Sequence, residues 1–561
     1  MTNPPRCPWI FLSILAGAVV TGQSQAQAIP TPGAVQEQLR PRPSLPPTPK
    51  DTVQAPAAPS AGLGVAAGGP QVQVQRFQIT GNTALPSEEL QQIVAPYEGK
   101  AMTLLEIYDV ADLLTRHYRT SGYTLASAFV PEQQVASGVI TIEIIEGKLG
   151  EVRTEGTRRY RDSFVKWQLN ELKPGEVVRD APLEKEVLLL NDLPGLEARA
   201  VLTPGSEFGT SDLVLKTEEK LVDGTVGYDN YGRESIGESR LNAALGLNGL
   251  LGVGDRLDVS AVYAEADLLH YGRLAYSVPV SPWGTVGSVY YSSYDYEVDA
   301  KKLGPGFSVL DIDGEGDNFG VNFLHPVWRS ARKNLFVGAG YDRTVTFQEE
   351  TTFGSSFKQH IGVAAFTALF DYVGSDNSFS TAGLSLRTNF QGNERDPVLR
   401  TLDNNKQAAK LQFDLSHYRG LWRQLSLFAR FTGVLTPDPL LDTEQFRLGG
   451  TASVRAYPSS EIAGDEGFFA SGELQHPVNM MPGMQQQRLK AFVDTGRVYR
   501  KNHNLLGVEQ SESLSGVGVG FDALVFGRVT VDAMLAYPIG QHESSDDDDG
   551  VRFWTGITAN F

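Results

Sequence analysis

The sequence predicts a transmembrane β-barrel of about 16 antiparallel strands preceded by two periplasmic α+β domains, each of β-α-α-β-β order. Three observations lead there. Apolar and polar residues alternate through residues 221–561, and a period of two gives each strand one apolar and one polar face. The alternating segments are even in number. The connections between them are short and long by turns, as in a closed single-chain barrel.

The chain of 561 residues opens on a secretory signal over residues 1–28. Arg6 is its basic start, Trp9 to Val20 its apolar core, and Ala26-Gln-Ala28 its small-x-small cleavage site, which puts the mature start near Ile29. The core is too short to span a bilayer as a helix. Residues 29–71 are rich in Pro, Ala and Gln, including Pro41-Arg-Pro43 and Pro46-Pro47-Thr-Pro49, a composition that makes an extended linker. Residues 33–40 within it have a helical composition and form a candidate plug helix, an unanchored N-terminus being the alternative.

Residues 72–147 and 148–220 share one element order. The first unit reads as a strand over 74–80, helices over 87–94 and 104–122, and strands over 124–130 and 139–146. Ser87-Glu-Glu after Pro86 marks a helix start, and Gly122 suits a helix C-terminus. The second unit reads as a strand over 149–154, helices over 162–169 and 182–193, and strands over 196–203 and 211–217.

Residues 221–561 form the barrel. Leu241, Ala243, Leu245 and Leu247 alternate with Asn242, Ala244, Gly246 and Asn248, and Val551, Phe553, Thr555, Ile557, Ala559 and Phe561 share one face of the last segment. Strands start near residues 222, 239, 255, 269, 284, 317, 333, 357, 378, 406, 422, 466, 487, 513, 526 and 551. Connections at 250–254, 281–283, 329–332 and 374–377 are short. Those at 299–316, 391–405, 436–465 and 500–512 are long. Short turns face the periplasm and long loops the exterior, which puts the N-terminal domains in the periplasm. A soluble sandwich or large soluble barrel is the alternative, and it gives a terminal Phe561 no special place.

Composition narrows the function. The only cysteine, Cys7, lies in the signal, so burial and backbone pairing must hold the mature protein. A net charge of −18 argues against a nucleic-acid partner. No later stretch is long and apolar enough for a membrane helix. The eight His residues form no His-Glu-x-x-His, and neither Gly-x-Ser-x-Gly nor a phosphate loop occurs. Gly516-Val-Gly-Val-Gly-Phe521 reads as a small-residue strand. No catalytic, metal or cofactor site is expected; Asp546 to Asp549 read as a solvated acidic tip.

The most specific signal is Phe446-Arg-Leu-Gly-Gly-Thr-Ala-Ser-Val-Arg-Ala-Tyr457, followed by Gly464-Asp-Glu-Gly467, Glu473-Leu474 and Phe492-Val-Asp494-Thr-Gly496. An arginine fork and a carboxylate shielded from water make a strong charge-assisted pair, and in a pore wall such a pair latches a loop inside. These motifs resemble the TpsB outer-membrane transporters of two-partner secretion, the haemolysin and filamentous-haemagglutinin secretion/activation family of the POTRA-plus-barrel superfamily.

The resemblance covers nearly the whole mature chain and implies two POTRA domains, a 16-stranded barrel and a loop over 436–465 folded into the lumen. It implies that Arg455 contacts Asp494. Leu448, Gly449, Gly450, Val454, Tyr457, Gly464, Asp465, Gly467, Phe492 and Gly496 would support the motif, and Phe561 would serve as the C-terminal barrel signal. The family usually has glycine where this chain has Ala456; a positive φ there would cost about 1 kcal/mol.

The implied function is export, without ATP, of an unfolded exoprotein such as an adhesin or cytolysin, recognised in the periplasm by the POTRA domains. Outer-membrane lipid and the barrel-assembly machinery are further implied partners. Strand addition to a sheet edge would suit the client, with 196–203 and 124–130 as candidate edges. The alternatives are a factor that inserts other barrels, which should carry more POTRA domains, and a passive porin, which should carry none.

Overall fold

The structure is a computed structural model and describes residues 30–39, 53–54, 71–135, 137–304, 307–352, 354–394, 407–501, 509–540, 542 and 550–561. The signal, most of the Pro-rich linker and Asp546 to Asp549 lie outside the described residues.

Helix α1 (Pro32–Gln38) precedes β1 (Val53–Gln54). The first POTRA unit comprises β2 (Gln71–Gln73), β3 (Arg76–Thr80), α2 (Ser87–Val94), β4 (Ala101–Thr103), α3 (Leu104–Thr120), β5 (Ser127–Phe129) and β6 (Val139–Ile145). Its expected first strand is shorter and preceded by a separate piece, β2, that pairs with β4. The start of α2 has no side-chain cap. Thr103 and Glu106 instead form a reciprocal capping box at α3, and Gly122 takes the positive φ (87°) that ends that helix. Apolar residues of α3, among them Ile107, Val110, Leu114 and Tyr118, pack on Phe77, Ile140 and Ile142 of the sheet.

The second unit comprises β7 (Lys148–Glu155), α4 (Asp162–Gln168), α5 (Asp180–Asn191), β8 (Leu196–Pro204) and β9 (Thr210–Glu219). The sheet order is β1-β8-β9-β7. The β8 edge is therefore not open along its length, because Val53 and Gln54 pair in parallel with Ala200 and Val201. In the first unit the order is β3-β6-β5, which leaves β5 at an edge.

The next strands are β10 (Val222–Asp229), β11 (Arg240–Asn248), β12 (Arg256–Ala264), β13 (Leu269–Pro279), β14 (Val286–Glu297) and β15 (Ile312–Trp328). They continue as β16 (Lys333–Glu350), β17 (Ser355–Val373), β18 (Phe379–Glu394), β19 (Ala409–Gly420) and β20 (Ser426–Leu435). After β21 (Phe446–Leu448) and β22 (Ile462–Gly464) come β23 (Glu466–Pro477), β24 (Met484–Tyr499), β25 (Ser511–Val525), β26 (Val529–Pro538) and β27 (Arg552–Asn560). Among the described residues, sixteen of these strands close an antiparallel barrel; β21 and β22 form a separate hairpin inside the 436–465 loop. The strand expected from residue 317 begins at Ile312, and β15 to β17 run 17 to 19 residues, beyond the 9–11 or so that cross a bilayer.

Leu241, Val259, Tyr263, Phe553 and Ile557 point outward and are exposed, whereas Arg552 and Trp554 point inward and are buried. That is the alternation read from the sequence. The seam between β10 and β27 has five paired positions. Asn230 prolongs it, accepting from the Thr555 N–H (2.7 Å) and donating to the Phe553 carbonyl (2.8 Å). Phe561 completes it through two backbone bonds with Gly224 (3.0 and 3.2 Å), and Lys220 Nζ donates to its carbonyl oxygen at 3.1 Å.

The second POTRA unit packs on the short turns. Arg329 grips Asp192 with two bonds (2.7 and 2.8 Å), Glu184 accepts from the Ala331 N–H (3.0 Å), and the Arg161 N–H donates to the Gly252 carbonyl (3.0 Å). The short turns and the POTRA domains therefore share one side of the barrel.

Candidate functional site

The wall of the site is three neighbouring strands. Cross-strand register sets Glu473 of β23 opposite Phe492 of β24, and Ser471 opposite Asp494. On the far side of β24, Gly518 and Gly516 of β25 face Phe492 and Asp494. Phe492, Asp494 and Gly496 share the lumen face of β24 because side chains alternate.

The loop between β20 and β23 turns inward onto this patch. Asp465 ties its ends together, accepting from the Leu440 N–H (2.6 Å) and the Lys501 N–H (2.7 Å). Gly449 and Gly450 have φ of 108° and 89°, and a Cβ on Gly449 would lie 2.1 Å from the Pro458 carbonyl oxygen. Only glycine fits both demands.

Arg455 lies at the tip. Its Nε and Nη2 donate to the two oxygens of Asp494 (2.8 and 2.9 Å), and Nη1 donates to Glu473 (2.6 Å). Ser471 Oγ donates to Asp494 (2.7 Å) and accepts from Arg455 Nη2 (3.2 Å). The guanidinium stacks on Phe492, 3.4 Å from the ring centroid. Trp554 Nε1 donates to the Arg455 carbonyl at 2.7 Å, which fixes the loop tip to the last strand. Asp494 is fully buried and Arg455 is 9% exposed. A buried pair of this kind adds little net stability, but losing one member strands the other and costs about 3–5 kcal/mol.

The remaining motif residues hold these groups in place. Leu448, Val454 and Tyr457 form one buried cluster with Phe492 and Phe469. Gly496 is bare where Leu448 seats: a Cβ there would lie 2.8 Å from its methyl. Gly467 makes equivalent room for the Phe446 ring (2.5 Å), and Gly464 for the backbone at Tyr499 (2.8 Å). Ala456 does not have a positive φ, so the strain expected there is absent. Its methyl is accommodated instead by the bare backbone of Gly516, where a Cβ would be 2.4 Å away.

Sequence reasoning missed a second contact zone. The short 3-10 turn Asp442–Glu444 holds the root of the loop to the wall strands β17 to β19, which precede β20 in the barrel. Glu444 meets Arg387 of β18 (3.2 Å) and Lys410 of β19 (2.7 Å), and Thr443 donates to Gln359 of β17 (3.1 Å). No local pattern marks these partners, which lie 34 to 84 residues away in the chain.

Helix α1 lies against this turn inside the barrel. It covers residues 32–38, two residues short of the expected end, and Thr31 caps it through the Ala34 N–H (3.3 Å). Tyr294 Oη donates to the Pro32 carbonyl (3.3 Å), Arg240 to the Gln38 carbonyl (3.1 Å) and Ser460 to the Ala34 carbonyl (3.3 Å). Tyr294 and Arg240 lie at strand ends away from the POTRA side, so the helix occupies the outer half of the lumen. A cavity of about 250 Å³ remains beside it, lined by Asp414, Arg430 and Thr432 of the wall and by Gly449 to Ser453 of the loop.

Residues 209–523 match the family model described as haemolysin secretion/activation protein ShlB/FhaC/HecB. The chain belongs to that family. Residues 72–147 also match the ShlB-type POTRA domain. The heme/hemopexin transporter protein HuxB of Haemophilus influenzae is 26% identical, with both chains covered completely. The outer membrane transporter CdiB of Escherichia coli is 26% identical over 84% of this chain and 80% of its own. A solved structure of Escherichia coli CdiB superposes with a TM-score of 0.71 at 23% identity, covering 90% of this chain and 92% of that one. This is a family of protein transporters, not of enzymes. As in the family, the protein sits in the outer membrane with its POTRA domains in the periplasm.

Proposed function

We infer that this protein is the transporter of a two-partner secretion pair: it recognises an unfolded exoprotein in the periplasm and exports it through the barrel. The observation that carries this reading is a closed sixteen-stranded barrel with the second POTRA unit against its short turns, in a chain similar along its full length to such transporters. That likeness favours export over insertion of other barrels.

We propose the finer steps as follows. An extended client segment adds to the open edge at β5, where backbone bonds give affinity and neighbouring side chains give selectivity. On the second sheet it competes with Val53–Gln54 for β8. Helix α1 closes the lumen at rest and leaves when a client engages. The Arg455–Asp494 pair keeps the loop docked to the wall, so that the vacated lumen has a defined shape. Folding of the client outside, an adhesin or cytolysin, makes export irreversible. The outward apolar belt meets outer-membrane lipid, and Phe561 on the closing seam presents the chain to the barrel-assembly machinery.

Secretion from cells that co-express the chain with its exoprotein tests the reading. Deleting residues 72–220 should abolish export while leaving a heat-modifiable barrel in the outer membrane; undiminished export would refute POTRA-dependent recognition.

A further inference from the structure

One three-residue turn faces two ways. Glu444 points to the wall and contacts Arg387 and Lys410, while Asp442 points to helix α1. Asp442 accepts from Thr31 Oγ1 (2.8 Å) through one oxygen and from the Gly33 N–H (2.7 Å) through the other. Both bonds are shorter than those the helix receives from Tyr294, Arg240 and Ser460. Arg447, on the first strand of the loop's inner hairpin, pairs with Asp442 and also donates to Thr31 Oγ1 (3.1 Å). Hydrogen bonds to a charged group are about twice as strong as neutral ones, and Asp442 is in that class while the Tyr294 and Ser460 bonds are not.

Gly33 is fitted to this contact. A Cβ there would lie 2.5 Å from the Asp442 carbonyl oxygen, 2.6 Å from its carboxylate and 2.7 Å from Arg447 Nη2. Any larger residue would push the helix off the pair. The close approach is thus built from both sides, by a carboxylate on the loop and by a missing side chain on the helix.

We propose that Asp442 is the positioning residue that retains the plug, and that retention of the plug and retention of the loop are separate functions of neighbouring side chains. Asp442 with Arg447 holds α1 to the loop. Glu444 with Arg387 and Lys410, and Arg455 with Asp494, hold the loop to the wall. The plug therefore leaves by giving up its contacts to Asp442 while the loop stays docked. This rests on the reading of α1 as a resting-state plug.

The experiment uses full-length protein carrying Ala34→Cys as a buried reporter, since the only other cysteine is Cys7 within residues 1–28. Thiol labelling in outer-membrane vesicles reports departure of the helix, and planar-bilayer conductance reports the open lumen. Asp442→Ala, and separately Gly33→Val, should raise the labelling rate by roughly tenfold or more and move conductance toward that of a variant lacking residues 30–39. Asp442→Glu should recover part of the protection. Glu444→Gln should leave labelling near the parental rate but expose the 436–465 loop to external protease.

If the deletion leaves conductance unchanged, α1 is not a plug and the proposal falls with that reading. If the deletion opens the channel while Asp442→Ala and Gly33→Val both label at the parental rate, the plug stands and Asp442 does not retain it. If Glu444→Gln releases the helix as fully as Asp442→Ala, the two functions are not separate.

Discussion

Replacing Arg455 with Ala removes a guanidinium that bridges two buried carboxylates. Asp494 loses bonds of 2.8 and 2.9 Å and Glu473 one of 2.6 Å. Both acids keep something: Asp494 still accepts from Ser471 (2.7 Å) and from the residue 455 N–H (3.2 Å), and Glu473 from Gln475 (2.8 Å). The cost then falls at the low end of the range for breaking a buried pair, about 3 kcal/mol. That is roughly a hundredfold shift from docked toward undocked loop. The strand pairing of the barrel is untouched, so the variant should stay heat-modifiable yet secrete its partner poorly. Lys at 455 keeps the charge but cannot make the same fork to Asp494 while reaching Glu473, so it should be intermediate. Export and loop proteolysis, measured for Arg455→Ala, Asp494→Ala and the double variant, check the reasoning. Coupled residues predict a double variant little worse than either single one. Wild-type export and loop protection in both single variants would show that the pair has no role.

Two further outcomes follow from the same geometry and from the periplasmic domain. Gly518→Ala would place a methyl 2.3 Å from the Phe492 ring and 2.4 Å from the Leu535 carbonyl oxygen; overpacking of this kind costs about 1–3 kcal/mol and should displace the ring that supports Arg455. Export should fall, and fall less in Gly520→Ala, whose nearest neighbour is the flexible Met534 at 3.0 Å. In the second POTRA unit, burial pushes Glu186 up to about 7 from 4.5, with the neighbouring Glu171 charge adding to it against a bond from the Glu171 N–H. Below 4.5 both folded and unfolded chains hold the proton. Between 4.5 and about 7 only the unfolded chain ionises, so this contribution to stability is lost as pH rises, on the order of 3 kcal/mol in all. Amide exchange of α5 in the full-length protein, corrected for intrinsic rates, should show protection falling from pH 5 to pH 8. Glu186→Gln should flatten that slope; an unchanged slope would assign it to another group.

The parts of the site that were legible in the sequence share one trait: their physical demand is local. Gly449 and Gly450 sit where the backbone needs positive φ, and Phe492, Asp494 and Gly496 recur at the spacing that puts them on one strand face. Glu473 was in view as part of a motif, but its bond to Arg455 depends on the register between β23 and β24. Ala456 looked strained because its backbone was judged alone. Its neighbour Gly516, 60 positions on, is what accommodates it. The β8 edge likewise reads as open from its own residues, and is partly covered by a segment 147 residues earlier in the chain.

Local patterning along the chain specifies the alternation that makes a strand apolar on one face, the number of strands, the side on which each loop lies, and the two POTRA units. All of these follow from periods of a few residues and from turn composition, which the chain carries locally whatever it touches later. Which wall receives the loop, which acids share Arg455, and how α1 is held are set by the folded barrel. Those contacts join residues up to 426 positions apart, as in Ala34 with Ser460, and closing the barrel is what brings them together. A carboxylate in a sequence announces that it needs a partner; the folded barrel selects which one it meets.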